Sequence, residues 1–448
     1  MMGNRGSACA GSSQFPISWP AGAEARRAES AGLVLPLCHI QFASGPAPCD
    51  GPPVNIAFIN SSAEPGRDGV GDYTFSLAAA LCSLGHSVLV IALTDRWVTG
   101  ASDAVVVHNP EGVAMERIPS SLPLPQRIDR ACARLKAFHP DWVSFQMLCY
   151  AHNPKGLLFE FNRHLPRLVA TCENWQVTFH ELWIGFHKGA LWKHRLVGAL
   201  QRHSIRRAVQ ILRPKALQTS TPLFQALLRT IGIEAAVVPL AGSIPVTPDT
   251  GLDWFLEVLG QPGVPVEAAK RSEYLVGGFF GAMYPGWEPE PFFSSLRTVA
   301  AKTGQKVSIF AAGKMGSEAI WDRLPSAYPD FNFHKLGQLP TGRVSQYLRN
   351  LDFGIATTAW GLIGKSSATA AMLDHGLPVM VTRDDYQPRL SLPIAPPDDS
   401  FLILADRDVS ERFLAGLPRR MPRHSAGDLA SKFVRALGGY RSTPRLGG

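Results

Sequence analysis

Three segments of this 448-residue chain each follow an apolar, strand-like run and carry groups that could bind an anion. The first segment, residues 66–73, comes after the apolar run 54–59 and contains Gly69, Gly71 and Asp72. Glycines let backbone amides approach a ligand closely, and a helix that starts in such a loop directs its positive end towards an anion such as a diphosphate. The loop therefore indicates anion binding, and a tight strand-to-helix turn capped by Asp72 is the alternative.

The second segment begins at His180, which comes directly after the apolar run 176–179. In a parallel sheet the carboxyl ends of the strands face the ligand crevice, so a polar side chain at this point is expected to reach the cleft. This placement favours a role for His180 in ligand binding or reaction. The alternative is a histidine that caps the following helix.

The third segment places Lys365, Ser366, Ser367 and Thr369 at the start of a predicted helix that ends at Gly376. Backbone amides at a helix N-terminus, small hydroxyl side chains and one positive charge together suit an anion. The predicted ligand is a phosphate group. A polar N-cap run on an ordinary helix is the alternative.

Two shorter loops follow predicted strands in the second half of the chain. Residues 280–289 contain Gly281 and Trp287, and the Trp287 indole could stack on a ligand ring or be a core residue. Residues 313–316 contain Lys314, which could contact a phosphate or be a solvated loop lysine. Gly281, Trp287 and Lys314 are therefore further candidate binding residues.

Apolar strand-like runs alternate with helical spacing along most of the chain. The runs lie at 54–59, 87–93, 105–107, 142–145, 176–179 and 236–239, and then at 274–280, 306–310, 331–334, 352–355 and 378–381. Short apolar runs separated by helices are typical of parallel strands joined by right-handed crossovers. The sequence therefore predicts an α/β protein with two Rossmann-like, doubly wound parallel-sheet domains.

Composition sets the predicted domain boundaries. Residues 1–52 are rich in Gly, Ala, Ser and Pro without a sustained period, and they are predicted to form a disordered leader. An N-terminal domain is predicted at 53–240, a linker at 241–272 and a C-terminal domain at 273–420. A C-terminal helix and tail are predicted at 421–448.

Two groups of these residues resemble the pattern of one enzyme family. The segments GVGDYT at 69–74, LAAAL at 77–81 and LGHSV at 84–88 are similar to the opening of retaining, nucleotide-sugar-dependent glycosyltransferases of the GT-B type, group 1 or family 4-like. AMLDHGLPVMVT at 371–382 resembles the EAMACGTPVVAT segment of that family. The resemblance implies two domains that face a cleft, with the acceptor side on the first domain and the donor side on the second. It also implies that the helix at 425–437 returns to the first domain.

The resemblance implies roles for the candidate residues. Gly69, Gly71 and Asp72 would contact the nucleotide-sugar donor, and the segment 365–369 would bind its diphosphate and ribose. His180 resembles the histidine of the family's TxHD/E motif, which implies contact with the donor sugar or the reacting centre.

The chain departs from the family at two places. The glutamates of the E-x7-E pair align with Ile363 and Ala371, and Met283 and Trp287 stand near the positions of a basic pair that neutralises the donor diphosphate. Lys365 is therefore expected to supply part of the missing charge, because a compact ammonium suits phosphate.

These features predict transfer of a sugar from a nucleoside-diphosphate sugar to an acceptor hydroxyl, with retention, in glycan or envelope polysaccharide synthesis. No cofactor and no metal ion are expected, since no DxD sequence or carboxylate pair stands where a cation would bind. Two alternatives stay open. One is a nucleotide-sugar epimerase on the same fold, and the other is a catalytically inactive nucleotide-sugar-binding protein.

The charge balance leaves several kinds of partner open. The net charge of +8 is compatible with nucleic acid, a membrane surface or phosphorylated substrates, and no nucleic-acid partner is predicted. The basic amphipathic region 188–215 could rest on anionic lipid, which would suit a lipid-linked acceptor, and ordinary solvated helix faces are the favoured alternative. No run approaches the ~20 apolar residues of a membrane span, so a cytoplasmic location is expected, with a peripheral position at the inner face of the membrane as the less favoured option.

Seven scattered cysteines, none spaced as CxxC, predict reduced thiols and argue against a disulfide framework or a zinc site.

Overall fold

The computed structural model describes residues 52–98, 105–108, 112–248, 251, 253–260, 266–316, 318–423 and 425–438, with only the backbone at 105–108. The predicted leader at 1–52 lies outside the described residues, apart from Pro52.

The first half of the chain contributes eight strands and six helices to the described structure. The strands are β1 (Asn55–Asn60), β2 (Ser87–Asp95), β3 (Val105–His108), β4 (Ala114–Pro119), β5 (Trp142–Met147), β6 (Trp175–Phe179), β7 (Ala216–Thr219) and β8 (Ala236–Val237). The helices are α1 (Gly69–Ser83), α2 (Leu124–Phe138), α3 (Cys149–His152), α4 (Phe159–Val169), α5 (Trp192–Leu212) and α6 (Pro222–Arg229).

The second half contributes six strands, eight α-helices and two 3-10 helices to the described structure. The strands are β9 (Tyr274–Phe280), β10 (Lys306–Ala312), β11 (Asn332–Gly337), β12 (Phe353–Ala356), β13 (Val379–Val381) and β14 (Leu402–Leu404). The helices are α7 (Asp253–Leu259), α8 (Glu290–Thr303), α9 (Glu318–Trp321), α10 (Leu324–Ala327), α11 (Thr341–Asn350), α12 (Ser367–Asp374), α13 (Val409–Leu414) and α14 (Ser425–Gly438), and the 3-10 helices are Ala268–Glu273 and Trp360–Lys365.

Each half forms its own sheet. The strand order is β3-β4-β2-β1-β5-β6-β7-β8 in the first and β11-β10-β9-β12-β13-β14 in the second. All neighbouring pairs are parallel except β3 and β4. The strand order therefore reverses beside β1 and beside β9, which are the switch points where doubly wound sheets bind ligands. The predicted fold class, two Rossmann-like doubly wound sheets, is confirmed.

The two sheets differ in several details from the prediction. Strand β3 is antiparallel to β4, because the short connection between them allows only a hairpin and not a crossover. Strand β4 was not predicted, because its sequence AMERIP carries Glu116 and Arg117 in place of a continuous apolar run. Strands β7 and β14 were also not predicted, since each has only three or four residues.

Helix α1 begins differently from the predicted turn. Its N-cap is Asp68, whose carboxylate accepts hydrogen bonds from the amides of Val70 (2.9 Å) and Gly71 (3.3 Å). Asp72 lies one turn inside the helix, so its assignment as the cap is wrong. The Asp68 carboxylate thus provides an acceptor for backbone amides that would otherwise lack a hydrogen-bond partner at the helix start.

Helix α14 packs against the first half of the chain. Phe433 lies with its ring 5.6 Å from that of Phe58 in β1, and Leu429, Ala430 and Leu437 are buried in the same cluster of apolar side chains as α1. This is the placement that the family resemblance implies.

The predicted linker carries secondary structure of its own. Residues 241–272 include α7, whose Phe255 ring stacks 5.0 Å from Phe310 of the second sheet. Near its start, the Gly242 amide donates to the buried Asp374 carboxylate at the end of α12 (3.2 Å). The linker is therefore fixed to the second half.

Among the described residues, no helix combines the length and the hydropathy that crossing a bilayer requires. The described cysteines Cys82, Cys132, Cys149 and Cys172 are free thiols.

Candidate functional site

His180 lies at the carboxyl end of β6, beside the centre of the first sheet. Residues 180–191 contain no helix, and α5 begins only at Trp192, so the alternative of a helix cap is wrong. The His180 side chain is buried, and its ring makes an edge contact with Tyr73 of α1 at 5.2 Å between centroids. Packing against α1 fixes the ring beside the loop that follows β1.

A network of buried side chains fixes the protonation of His180. Gln146 Nε2 donates to Ser144 Oγ (2.6 Å), the Ser144 hydroxyl donates to Gln176 Oε1, and Gln176 Nε2 donates to Thr178 Oγ1 (2.8 Å). Since the Gln146 amide nitrogen is used in this way, its Oε1 accepts from His180 Nε2 over 2.7 Å. The neutral ring therefore carries its proton on Nε2, and Nδ1 is left as an acceptor.

His180 is neutral at ordinary pH. Burial lowers its pKa, the positive charge of Lys365 lowers it further, and the result is about 3. A neutral imidazole of this kind can accept a hydrogen bond from a hydroxyl, but it cannot serve as a cation for phosphate.

Lys365 brings the second half of the chain to this point. It is the last residue of the 3-10 helix Trp360–Lys365, and its ammonium lies 5.6 Å from the centroid of the Phe224 ring of α6. Its charge lowers the pKa of His180 and opposes the upward shift of Glu181. Lys365 therefore lies near enough to His180 for its charge to act on the imidazole, and the region around Lys365, His180 and Glu181 is called the cleft below.

Glu181, the next residue after His180, contributes a carboxyl group to this cleft. Burial raises its pKa, Lys365 opposes that shift, and the negative Asp68 adds to it. In return, the Glu181 charge contributes to the raised pKa values of Tyr150 and of Tyr284 in the second half. Glu181 was not predicted as a site residue from the sequence, although it stands at the acidic position of the TxHD/E motif that contains His180.

The glycine loop after β1 comes near Glu181 through Asp68, whose negative charge adds to the raised pKa of Glu181. The Ser61 hydroxyl donates to Asp68 Oδ2 (3.1 Å), while the Asp72 carboxylate accepts from the Gly66 amide (2.9 Å). A Cβ at Gly71 would lie 2.5 Å from the Ser62 carbonyl oxygen. Gly71 is therefore required by the close packing of the loop on its own helix.

Gly69 differs from Gly71. It is exposed, and a Cβ there would meet no atom within 4 Å. Of the two glycines, Gly69 is the one with open space in front of it.

A second cluster forms at the start of α12. Ser366 is the N-cap, and its Oγ accepts from the Thr369 amide (3.2 Å) and from the Thr369 hydroxyl (2.9 Å). Ser367 is the first residue of the helix. Gly281, with a φ of +80°, lies where its Cβ would be 3.5 Å from that of Ala368. The loop after β9 therefore lies against the start of α12.

Trp287 and Lys314 lie away from this arrangement. Trp287 is buried, with its ring 5.2 Å from Phe279 and 5.9 Å from Phe293, and it offers no face to a ligand. Lys314 is exposed in the loop after β10. The structure places Trp287 in the core and Lys314 at the surface.

The two positions of the E-x7-E pair are apolar and buried. Ile363 is 2% exposed and Ala371 is 0% exposed. A Cβ at Gly242 of the linker would lie 2.8 Å from the Ala371 Cα, so the linker covers this side of α12. These two positions cannot supply carboxylates to a donor.

Arg383 is a cation near the cleft that sequence reasoning missed. It follows β13, and its guanidinium donates to Asp385 (2.8 and 2.9 Å) and to the Thr357 carbonyl oxygen (3.2 Å). The guanidinium carbon also lies 4.9 Å from the centroid of the Tyr284 ring. Tyr284 is the tyrosine whose raised pKa includes a contribution from the charge of Glu181. The sequence feature that could have identified Arg383 is its position just after the carboxyl end of a parallel strand.

A loop of the second half, residues 386–389, packs against the segment that follows β6 in the first half. The Lys188 amide donates to the Gln387 carbonyl oxygen (2.9 Å), and the Arg389 amide donates to that of Phe186 (2.8 Å). Between them, the Tyr386 ring lies 5.3 Å from the ring of Phe186. Burial, with smaller contributions from Tyr284 and Tyr150, raises the pKa of Tyr386 to about 12.

A cavity of about 820 Å³ lies between the halves on the other side of Ser366. Ser366 and Thr369 of α12 line it, together with Tyr386, Trp360 and Ser220 of the loop after β7. Neither His180 nor Lys365 lines it, so the predicted donor residues divide between this cavity and the cleft at His180.

In the part of the chain that the structure describes, no group of three or more His, Cys, Asp or Glu side chains is arranged to hold a metal ion.

No family model matches this chain, and no curated protein matches it significantly. Among solved structures, the chain is similar to Anabaena HepE in complex with UDP and glucose, at 12% identity and a TM-score of 0.48 over 86% of this chain and 99% of that one. It is similar to the catalytic domain of starch synthase IV from Arabidopsis thaliana bound to ADP and acarbose, at 12% identity and a TM-score of 0.48 over 87% and 98% of the two chains. It is also similar to a glycosyltransferase from Rickettsia africae, at 12% identity and a TM-score of 0.45 over 87% and 89%.

Proposed function

We propose that this protein transfers a sugar from a nucleoside-diphosphate sugar to an acceptor hydroxyl, with retention at the anomeric carbon. The observation that supports this most is that Lys365 of the second half lies against Phe224 of the first half, 5.6 Å from its ring centroid, and that its charge acts on His180 and Glu181. A phosphate-binding cation and two groups that can bind sugar hydroxyls then face one ligand. The sequence resemblance to retaining GT-B enzymes supports the same reaction.

Each group has a distinct role in the proposal. Lys365 and the backbone amides at the start of α12 hold the departing diphosphate, which gains negative charge as the bond to the anomeric carbon breaks. The Nδ1 atom of His180 accepts a hydrogen bond from a donor-sugar hydroxyl. Glu181 accepts another, in place of the carboxylates absent at Ile363 and Ala371. Catalysis then comes from positioning and electrostatic stabilisation.

The acceptor in this proposal is a glycan. The cavity beside Ser366 combines the rings of Trp360 and Tyr386 with the carboxylates of Asp384 and Asp398. Aromatic faces and carboxylate acceptors together suit a polyhydroxylated ring. Gly364 and Ser366, the two sequence neighbours of Lys365, line this cavity, so it lies next to the cleft.

A two-step experiment tests the proposal. Thermal unfolding of the full chain is first followed with UDP, GDP and ADP and with their glucose conjugates. We expect one nucleotide series to raise the melting temperature, and the conjugate to release its nucleotide when glycan acceptors are added. Binding without turnover for any acceptor would instead favour the inactive binding protein. Conversion of the donor sugar without an acceptor would favour the epimerase.

A further inference from the structure

Helix α5 carries an apolar stripe that faces away from the protein. Trp192, Leu196 and Leu200 are spaced by four residues, so they lie along one face of the helix. Their exposed fractions are 76%, 58% and 43%. Phe159, at the start of the neighbouring α4, is 40% exposed and lies with its ring 6.2 Å from His203 of α5.

The opposite face of α5 accounts for its attachment to the fold. Its buried residues are Gly198, Gln201, Ser204, Ile205, Ala208 and Leu212. The Asn162 side chain of α4 donates to the Ser204 carbonyl oxygen (2.9 Å). The apolar stripe is therefore not needed to hold the helix in place.

Positive charges border the stripe on both sides. At 100° per residue, Lys193 and Arg207 fall on one side of the line through Trp192 and Leu196, and Arg195 and Arg206 fall on the other. All four are exposed, and α5 contains no Asp or Glu. Within the part of the chain that the structure describes, none of them forms an ion pair.

We propose that α5 binds the surface of an anionic lipid bilayer, with Trp192 and Leu196 inserted among the headgroups and the flanking cations on lipid phosphates. An apolar stripe with cations on both borders and no acidic residue matches the requirements of an interfacial helix. A partner protein would need an apolar surface bordered by carboxylates to match this face. An anionic bilayer offers an apolar interior for the stripe and lipid phosphates for the cations.

The position of the helix relates this surface to the cleft. Four residues before Trp192, the Lys188 amide bonds to Gln387 of the second half. Contact between α5 and lipid therefore places one edge of the cleft near the membrane. An acceptor carried on a lipid could reach the cleft from there. Lipid binding itself does not depend on the proposed sugar transfer.

Vesicle sedimentation tests the proposal with the full chain. Wild-type protein should sediment with vesicles of equimolar phosphatidylcholine and phosphatidylglycerol, and should stay in solution with phosphatidylcholine alone. The double variant Trp192→Glu/Leu196→Glu should bind the anionic vesicles at least tenfold more weakly. Met421→Glu is the matched control, because Met421 is 84% exposed in the second half, and it should bind as the wild type does.

Three results would overturn the proposal: no sedimentation of the wild type with either vesicle, equal binding by the double variant, or a dimer that the double variant dissociates. Analytical ultracentrifugation distinguishes the last case. Unchanged thermal unfolding of the double variant shows that lost binding is not lost folding, and Lys193→Gln/Arg207→Gln provides a second variant that should weaken binding to anionic vesicles.

Discussion

Lys365 and His180 belong to different halves of the chain, yet the charge of the lysine helps to lower the pKa of the imidazole to about 3. The two side chains are separated by 185 positions in sequence but share one cleft. In the proposed function, Lys365 belongs to the phosphate-binding end of the site and His180 to the sugar-binding end. Substitutions at the two residues should therefore affect different kinetic quantities.

Replacement of Lys365 by Ala should weaken nucleoside-diphosphate binding at least tenfold, which corresponds to about 1.4 kcal/mol. The free energy of unfolding should change little, because the side chain is only partly buried. Isothermal titration calorimetry with the nucleotide found by thermal shift measures the first quantity, and urea unfolding measures the second. Lys314→Ala removes an exposed lysine of the same half and is the control.

The same variant should also change the titration of His180. Removing a positive charge from its surroundings raises the pKa of a histidine, so the His180 pKa should move upward while burial still holds it below its usual value. Nuclear magnetic resonance of the imidazole follows this shift. Unchanged titration together with unchanged nucleotide affinity would remove Lys365 from the site.

Replacement of His180 by Ala should lower turnover more than tenfold and leave nucleotide affinity nearly unchanged, because this ring is assigned to the sugar. Gln146→Leu should give a smaller loss of turnover, since it frees the Nε2 proton that Gln146 now accepts. Steady-state kinetics with calorimetry separates these effects. Equal losses of turnover and affinity would place His180 at the diphosphate instead.

Much of the fold could be predicted because its strands are continuous apolar runs. Strands β1, β2, β5, β6 and β9 to β13 all stand where such runs occur. Strand β4 could not be found in this way, because Glu116 and Arg117 interrupt its apolar run. Arg117 meets its partners, Asp95 at the end of β2 (2.8 Å) and Glu64, only in the folded protein.

The site was harder to predict because burial decides which side chains face a ligand. Trp287 and Lys314 both follow parallel strands, yet one packs into the core and the other points to solvent. Arg383 also follows a strand, but it lies near the candidate site only because its guanidinium packs on the ring of Tyr284, about a hundred residues earlier in the sequence. Long-range contacts of this kind cannot be read from spacing.

Acidification should destabilise the protein through histidines whose pKa is lowered in the folded state. Burial lowers the pKa of His152 to about 3, with a smaller contribution from Arg127, whereas an unfolded histidine titrates near 6.5. Below pH 6.5 the unfolded chain therefore binds a proton that the folded chain does not, and stability falls as pH falls towards 3. His152→Phe should remove the part of this dependence that comes from His152, because the ring stacks 4.1 Å from Phe161 and a phenyl group fits there.

Urea unfolding at pH 7 and pH 5 measures that difference. The wild type should lose about 2 kcal/mol more than His152→Phe between the two values, from ~1.4 kcal/mol for each pH unit below 6.5. His139, which has a positive φ and lies at the end of α2, provides a control histidine: His139→Asn should keep the wild-type dependence. Equal slopes for wild type and His152→Phe would contradict the assignment.

The glycines after β1 provide a paired test of whether this loop approaches a ligand. Gly71→Val should destabilise the fold by about 1–3 kcal/mol, because its Cβ would meet the Ser62 carbonyl oxygen. Gly69→Val meets no atom and should leave the free energy of unfolding nearly unchanged, while nucleotide affinity falls because the new side chain occupies the space in front of the loop amides. Gly342→Val, in the first turn of α11 and equally open, is the control and should alter neither quantity. If Gly69→Val bound the nucleotide as tightly as Gly342→Val does, the loop would be only a turn between β1 and α1, and the diphosphate would be held by the second half alone.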